Sequence, residues 1–491
     1  MSNERLDEDA KLLASIGYKQ ELSRRMGGFS NFAISFSIIC ILAGGISAFP
    51  SALGAGGGAS IGIGWLVGAC FAGLVAAAMA QIASAYPTAG GLYHWSSILG
   101  GKGFGWTTAW FNLLGLVFVT ASVNFGVYDP FFKSLFAPAV GIDTSNFGAW
   151  HQTLFIAGIT LSQALLNHMG IRITTRLTDL SGYLIFVVAT LLVVSLLVYS
   201  PVPLDFTRLF TLTNFTGAEG SVWPQNGSLS TVFLLGLLLT IYTITGFDAS
   251  AHTAEETRQA AANVPKGILH AVMWSALFGY IMVCTFVLVM PNIEEGVKQG
   301  LGFLDALLNS VPHWLKVVLA IGILVCNYLC GLACVTSASR MTYAFARDGG
   351  LPFSNSLKKV DDTHKTPVNA IWTAAAAAIV ATLYGDAFLV LATGCAVLLY
   401  ISYIMPVAAG IMAEGKTWAH KGPFDLKGLS KVIAALATVG GLVLVWVGIQ
   451  PPNDKVLYLI VGMGIVLLLL WWVAGVRTSF QGPPAMNKNM Q

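Results

Sequence analysis

Long apolar runs separated by short polar breaks make up the chain from residue 29 onward. A helix needs about 20 mostly apolar residues to cross a bilayer. Runs of that kind lie near 29–51, 61–83, 104–127, 151–168, 180–200, 229–252, 267–290, 314–340, 367–384, 386–412, 431–450 and 456–476, which predicts twelve membrane helices. The ninth and tenth share one stretch interrupted only at Gly385-Asp386, and its apolar length fits two crossings. The longest connections are 201–228, 291–313, 341–366 and 413–430, and none is large enough for a folded domain. Function is therefore expected among the helices.

Composition points the same way. Of 491 residues, 55% are hydrophobic and 10% charged, against roughly 25% charged in an ordinary soluble domain. Most of such a surface must face lipid. The net charge of +3 carries no nucleic-acid signal. Placement of Lys and Arg is more telling, since 21 of the 26 fall on one side of the alternating loops. The positive-inside rule then puts the N-terminus in the cytoplasm, and an even helix count returns the C-terminus there. The polar first 28 residues carry no cleavable signal, so the first helix is expected to anchor itself. The expected organisation is a tail (1–28), a first five-helix set (29–200), an outer loop (201–228), a second five-helix set (229–412), two further helices (431–476) and a tail (477–491). A plasma membrane location follows, with the bacterial inner membrane expected and the sequons at Asn214 and Asn226 read as chance.

Several chemistries can be weighed and set aside. The seven cysteines all sit in apolar runs, and Cys326, Cys330 and Cys334 recur every four residues, one stripe on one helix face. Thiolate metal ligands are costly in hydrocarbon, so packing thiols are expected and no metal. The glycine-rich 54–64 stretch lacks the Lys-Ser/Thr of a phosphate loop and is placed in the outer turn entering helix two. His94, His151, His168, His252, His270, His313, His364 and His420 fall in loops or near helix ends, which supplies no hydrolase set. Trp65, Trp95, Trp106, Trp110, Trp471 and Trp472 are expected as interface anchors. The chain reads as a non-enzyme.

Two helices look interrupted. In the first, Gly44-Gly45 sits at mid-membrane, followed by Ser47 and Pro50. Tandem glycine and a following proline both weaken a helix, and unwound backbone at membrane depth survives only against a cavity or ligand. Gly44 and Ala48 could instead form a small-residue packing face. In the sixth, Gly246 and Asp248 interrupt the run, flanked by Tyr242, Thr243 and Thr245. Breaks at corresponding positions of two halves point to a transporter site. Half-helix N-termini suit an anion and freed carbonyls an ammonium, so a zwitterion fits both.

The stretches AGGISAFP (43–50), Tyr86-Pro87-Thr88-Ala89-Gly90-Gly91-Leu92-Tyr93, GFD (246–248) with Glu255-Glu256, and SASRMTYAFARDGGLP (337–352) together resemble the amino acid–polyamine–organocation permeases. The residues Asn167–Arg172 add a weaker match, and the run is similar to the amino acid/choline/γ-aminobutyrate branch. The resemblance implies an all-α membrane fold, a five-plus-five inverted repeat of the leucine-transporter type with two extra helices, and alternating access. It places substrate against Ala43, Gly44, Gly45 and Ile46, with main-chain N–H groups of the first three on the carboxylate. Carbonyls around Tyr242, Thr243, Thr245 and Gly246 would take the amino group, Tyr242 would act as an aromatic gate, and Asn327, Cys330 and Cys334 would line the pocket. Some proton-coupled relatives carry a lysine in helix five. Here Ile185 stands there and the helix has no lysine. Coupling through Na⁺ at Thr336 and Ser337, H⁺ on another group, or plain exchange all stay open, with no resident cofactor expected. A choline or polyamine permease and a transport-deficient amino acid sensor are the alternative readings.

Asp248 is an ionisable group at membrane depth. It either caps the lower half-helix through the N–H groups of residues 250 and 251 or serves substrate or proton. His252 with Glu255 and Glu256 suggests a metal or proton relay, but at the cytoplasmic mouth the three are expected instead to form salt bridges with Arg258 or Arg340, and the stretch from Arg340 to Asp348 to form an ion-pair cluster that closes the inner side. Expected partners are the lipid bilayer and a small zwitterionic or amine substrate. The sequence leaves the oligomeric state open.

Overall fold

The computed structural model describes residues 2–383, 387–418 and 421–484. The predicted break at Gly385-Asp386, His420 and the tail beyond 484 lie outside them. Regular structure among the described residues is helical, with no strand.

A tail helix, α1 (Ser2–Ser15), precedes the first span. That span is α2 (Gly28–Ile39) and α3 (Ile41–Ser47), and α4 (Phe49–Ala85) follows with a kink at Gly56-Gly57. Next come α5 (Leu92–Gly100), α6 (Lys102–Gly126), α7 (Ala149–His168) and α8 (Ile171–Val198). The sixth span is α9 (Leu229–Gly236), α10 (Leu238–Thr243) and α11 (Ala249–His252). The remaining spans are α12 (Ala260–Val289), α13 (His313–Arg347), α14 (Val368–Thr382), α15 (Ala387–Ala413), α16 (Ser430–Gly448) and α17 (Asp454–Trp472). Each of the twelve predicted runs therefore falls on a helix or a broken pair. Among the described residues nine helices are long and apolar enough to span by themselves, and 229–243 and 368–382 are shorter apolar ones. The first span starts from the face that carries the N-terminal tail. By alternation the sixth runs the opposite way, so its broken half-helices oppose those of the first.

The boundaries differ where tertiary packing extends a helix past its apolar run. Helix α8 starts at Ile171, well before the expected 180, and α13 continues to Arg347. The predicted outer turn at 54–64 is instead helical apart from the kink, where Gly57 has φ +64°. Its glycines let the 206–216 strap lie on the helix: Ala59 N–H donates to Thr211 O at 3.1 Å, and Phe215 N–H to Ala55 O at 3.0 Å. A Cβ on Gly58 would collide with the Arg208 carbonyl. The loop after α4 holds a short helix, α5, that sequence periodicity did not signal.

Tryptophan placement also departs from expectation. Trp65, Trp95 and Trp106 are buried, and their N–H groups reach Ala276 O, Tyr86 O and Gly350 O. They are core residues with satisfied donors. Trp472 is exposed, as an interface anchor should be.

Candidate substrate site and gate

The first break is at Cys40, not at the glycines. Cys40 adopts φ 27°, ψ 85°, and its carbonyl takes the N–H groups of Ala43 (2.7 Å) and Gly44 (3.1 Å). Ala43, Gly44, Gly45 and Ile46 are helical and buried, so Ala43 and Gly44 have no N–H to spare for a carboxylate. The glycines serve close packing. A Cβ on Gly44 would come within 2.8 Å of Thr243 Cα, and one on Gly45 within 2.8 Å of Met282 Cε. Among the described residues no acceptor meets the Ile41 and Leu42 N–H groups, which moves the open donors of this break toward Cys40.

The second break falls where the sequence placed it. Helix α10 ends with Ile244 N–H on Thr240 O at 2.7 Å, Gly246 turns the chain at φ +98°, and α11 begins with Ala249 N–H on Gly246 O. The Thr243 and Thr245 hydroxyls donate back to Leu239 O and Ile241 O, at 2.6 and 2.5 Å, and so point along the helix. Among the described residues no donor reaches the carbonyls of Thr243 and Thr245.

Asp248 does not cap α11. Its main-chain carbonyl takes the Ala251 and His252 N–H groups, while its buried carboxylate turns away. Oδ1 accepts from the Tyr403 hydroxyl at 2.7 Å, and Oδ2 accepts from Asn112 Nδ2 at 3.0 Å and faces His252 Nε2 at 3.1 Å. The Tyr403 oxygen in turn accepts Gly246 N–H at 3.0 Å, and Tyr400 donates to Ile244 O at 2.9 Å. Helix α15 thus supplies two tyrosines, three residues apart on one face, that hold the unwound strand.

Toward the face on which the N-terminal tail lies, ion pairs close the bundle. Arg340 grips Glu256 with Nε and Nη2, both at 3.0 Å and both side chains buried. Arg347 grips Glu255 in the same two-pronged way, at 3.0 and 2.9 Å. The sequence offers Arg340 as a partner of these glutamates. Arg258, the alternative partner, donates its main-chain N–H to Met26 O, and His252, expected to pair with an arginine, instead meets Asp248 Oδ2 and Ala89 O because its ring turns into the bundle. Glu255 Oε1 also takes Ala89 N–H at 3.1 Å, which ties the 86–91 loop to the same pair. Asp348 receives the Tyr18 and Tyr93 hydroxyls at 2.7 and 2.9 Å and faces His94 Nε2 at 3.1 Å. Burial alone would raise its carboxyl, but those contacts and the Arg347 charge hold it below the usual carboxylate range.

The N-terminal tail lies across these ion pairs. Arg25 and Met26 N–H both donate to Glu256 O at 2.9 Å, Glu21 accepts the Tyr343 hydroxyl, and Arg24 reaches Ala254 O and Thr257 O. Asp9 receives the Gln259 and Ala260 N–H groups at 2.7 and 3.1 Å, capping α12 where its dipole favours an anion. Asp9→Ala is expected to cost about 1 kcal/mol and to speed hydrogen exchange at 259–262. Unchanged exchange there would show that the tail does not brace α12.

On the opposite side of the breaks lies a cavity of about 130 Å³ lined by Ser47, Pro50, Trp223, Leu238, Tyr242 and Ala396, well above the roughly 10–15 Å³ that one water requires. Tyr242 therefore sits between this chamber and the breaks, with its hydroxyl 3.3 Å from Ser122 Oγ. Asn327 Nδ2 meets Ile323 O at 2.8 Å and Leu42 O at 3.5 Å, and Cys330 Sγ meets Ile38 O at 3.2 Å, so both face the first break. Cys334 is buried in the same stripe. Thr336 does not join them: its hydroxyl reaches Asn167 Oδ1 at 2.7 Å, on α7. Ser337 Oγ is buried without a partner among the described residues. No group of three or more His, Cys, Asp or Glu among those residues is arranged to hold a metal. Tyr400, Tyr403, Asn112 and Ser122 escape sequence reasoning, as does the partner of Arg347. Only the Tyr-x-x-Tyr spacing offered a signal.

This architecture has relatives. Residues 26–474 match the model of a family described as amino acid permease. An Arabidopsis thaliana protein named amino-acid permease BAT1 is 33% identical, with 97% of this chain and 96% of that one aligned. Its homolog in Oryza sativa subsp. japonica is 34% identical over 96% and 94% of the two chains. A GABA-specific permease of Saccharomyces cerevisiae is 28% identical over 76% of this chain and 65% of its own length. The broken helices and the ion pairs thus stand in a multi-pass transport protein, not an enzyme, and the chain belongs to the amino acid permeases of the amino acid–polyamine–organocation superfamily.

Proposed function

We propose that this permease carries a small zwitterion, an amino acid or γ-aminobutyrate, across the plasma membrane by alternating access, with both chain ends in the cytoplasm. The observation that carries the reading is the pair of opposed helix breaks, at Cys40 and at 244–248, packed together through Gly44 and Thr243. Open N–H groups at Ile41 and Leu42 suit a carboxylate, and open carbonyls at Thr243 and Thr245 suit an ammonium. The Lys and Arg asymmetry supports the orientation. With the tail-side ion pairs closed and the chamber above Tyr242 open, the arrangement fits a state that receives substrate from outside. A bacterial inner membrane remains the proposed setting.

Zwitterions are favoured over choline or polyamines by the condition of Asp248. A cationic substrate wants an available carboxylate or open aromatic faces, and all the nearby carboxylate capacity is engaged by Tyr403, Asn112 and His252. The name of the yeast relative supports γ-aminobutyrate as one candidate. The test is uptake and counterflow of radiolabelled amino acids, γ-aminobutyrate, choline and putrescine in proteoliposomes. Counterflow with amino acids or γ-aminobutyrate is expected. Movement of choline or putrescine alone, or of nothing, would refute the proposal.

A further inference from the structure

We propose that Asp248 and His252 form a buried proton-binding site whose loading holds the cytoplasmic gate shut, making this permease proton-coupled without a helix-five lysine. The count of donors and acceptors at the pair requires the proton. His252 presents Nδ1 to the Ala89 carbonyl at 3.2 Å and Nε2 to Asp248 Oδ2 at 3.1 Å. A carbonyl only accepts, so Nδ1 carries hydrogen, and an ionised carboxylate also only accepts. A neutral imidazole has one N–H. Both contacts are therefore satisfied only when the pair holds one proton beyond neutral histidine and ionised aspartate. The proton can sit on imidazole or carboxyl without changing that count. Both side chains are buried, so water does not fill the deficit when the proton leaves.

Charges around the pair are few and compensated. From α6, Asn112 donates to the carboxylate; from α15, Tyr403 donates to it and Tyr400 holds Ile244 O. From α2, Ser35 and Asn31 bond the Ser250 hydroxyl and carbonyl, and neither titrates. The charged groups nearby are Glu255 and Glu256, neutralised by Arg347 and Arg340 of α13, with His94 and Asp348 one layer further out. The pair is thus the one buried acid–imidazole couple directly attached to an unwound helix among the described residues.

Loss of the proton to water leaves a lone pair facing an acceptor, at Nε2 against Asp248 or at Nδ1 against Ala89. One contact must open. Ala89 is the joint, since its carbonyl meets His252 while its N–H holds Glu255, which holds Arg347. The peptide is packed tightly there: a Cβ on Gly91 would lie 3.3 Å from Ala251 Cβ and 3.6 Å from the His252 ring. Deprotonation therefore pushes the 86–91 loop off α11 and loosens the ion pair below it. The cycle binds H⁺ from the outer side in the closed-gate state and releases it to the cytoplasm on opening.

This inference rests on the transport reading, and the assay separates the two. Radiolabelled γ-aminobutyrate and an L-amino acid mixture are offered to voltage-clamped proteoliposomes holding a pH-sensitive dye. In the wild type an inward gradient of one pH unit should drive accumulation toward about tenfold for one proton per substrate, with acidification of the lumen. His252→Gln keeps a donor toward Asp248 but cannot gain a proton. Asp248→Asn satisfies Nε2 and Tyr403 without one. Both should lose the pH-driven accumulation. Asp248→Asn, satisfied at every pH, should keep the gate shut and lower counterflow, whereas His252→Gln, whose side-chain oxygen is left against the Ala89 carbonyl, should keep counterflow at a rate flat with pH where the wild type's is not. Gradient-driven accumulation by His252→Gln at the wild-type level would overturn the site, as would wild-type uptake without lumenal acidification, a measurement that needs no variant. Absence of counterflow in the wild type would instead strike the transport reading.

Discussion

Gly246→Ala is expected to lower transport by at least about tenfold while leaving the protein in the membrane. Gly246 sits at φ +98°, a conformation that L side chains rarely adopt, and its added Cβ would press on Ile38 Cγ2 and lie 3.1 Å from Ile38 Cβ. Backbone strain of this kind costs about 1–3 kcal/mol, and tenfold in an equilibrium is about 1.4 kcal/mol. The location makes the cost functional. Ile38 belongs to the last turn of α2, and its carbonyl receives Cys330, so displacing it moves one break away from the other. Gly246 N–H also holds Tyr403 and through it Asp248. The check is counterflow in proteoliposomes at matched protein, with size-exclusion profiles confirming a monodisperse product. A rate within twofold of wild type would show that the turn at 246 is only a packing detail.

The contrast between the two breaks explains what the sequence reveals. At Gly246 the residue that permits the turn is the residue that makes it, so local propensity and structure agree. At the first break they disagree. Gly44 and Gly45 are poor helix formers, yet α3 stays helical because its small face lies against Thr243 and Met282. The break moves to Cys40, a residue with no propensity for φ 27°, between the Cys330 and Asn327 contacts to Ile38 O and Leu42 O. No local pattern encodes that shift.

Asp248 makes the same point. Its position before a short apolar helix reads as a cap, but Asn112 and Tyr403, 136 and 155 positions away in the chain, take the carboxylate instead. The twelve apolar runs and a buried pairing of Arg340 with one of the two glutamates were legible because hydropathy and buried charge have few solutions in a membrane. The pairing of Arg347 with Glu255, the tail brace and the buried tryptophans were not, because each is defined by a partner on another helix.

Arg340→Ala is expected to be the most destabilising single change at the gate, by about 3–5 kcal/mol, the usual cost of removing one partner from a buried ion pair. The guanidinium meets both Glu256 oxygens at 3.0 Å and Ser339 Oγ at 3.1 Å, all in buried surroundings. Alanine would leave a desolvated carboxylate with no counter-charge. Glu256 is also where the tail is fastened, since its carbonyl takes the Arg25 and Met26 N–H groups. Loss of stability and opening of the gate should therefore appear together. Adding Glu256→Gln to Arg340→Met removes both charges, which often restores stability but cannot restore the clamp between α13 and the segment after α11. The two effects separate in a Cys70→Ala background, which deletes the exposed thiol among seven free cysteines. There, thermal unfolding reports stability, and labelling of the pocket thiols by an impermeant maleimide from the tail side reports opening. Arg340→Ala should melt earlier and label faster. The double variant should recover the melt but keep the fast labelling. An Arg340→Ala protein with wild-type melting and wild-type labelling would mean that the pair neither stabilises the bundle nor closes it, and the gate would have to be sought in Arg347 and Glu255 alone.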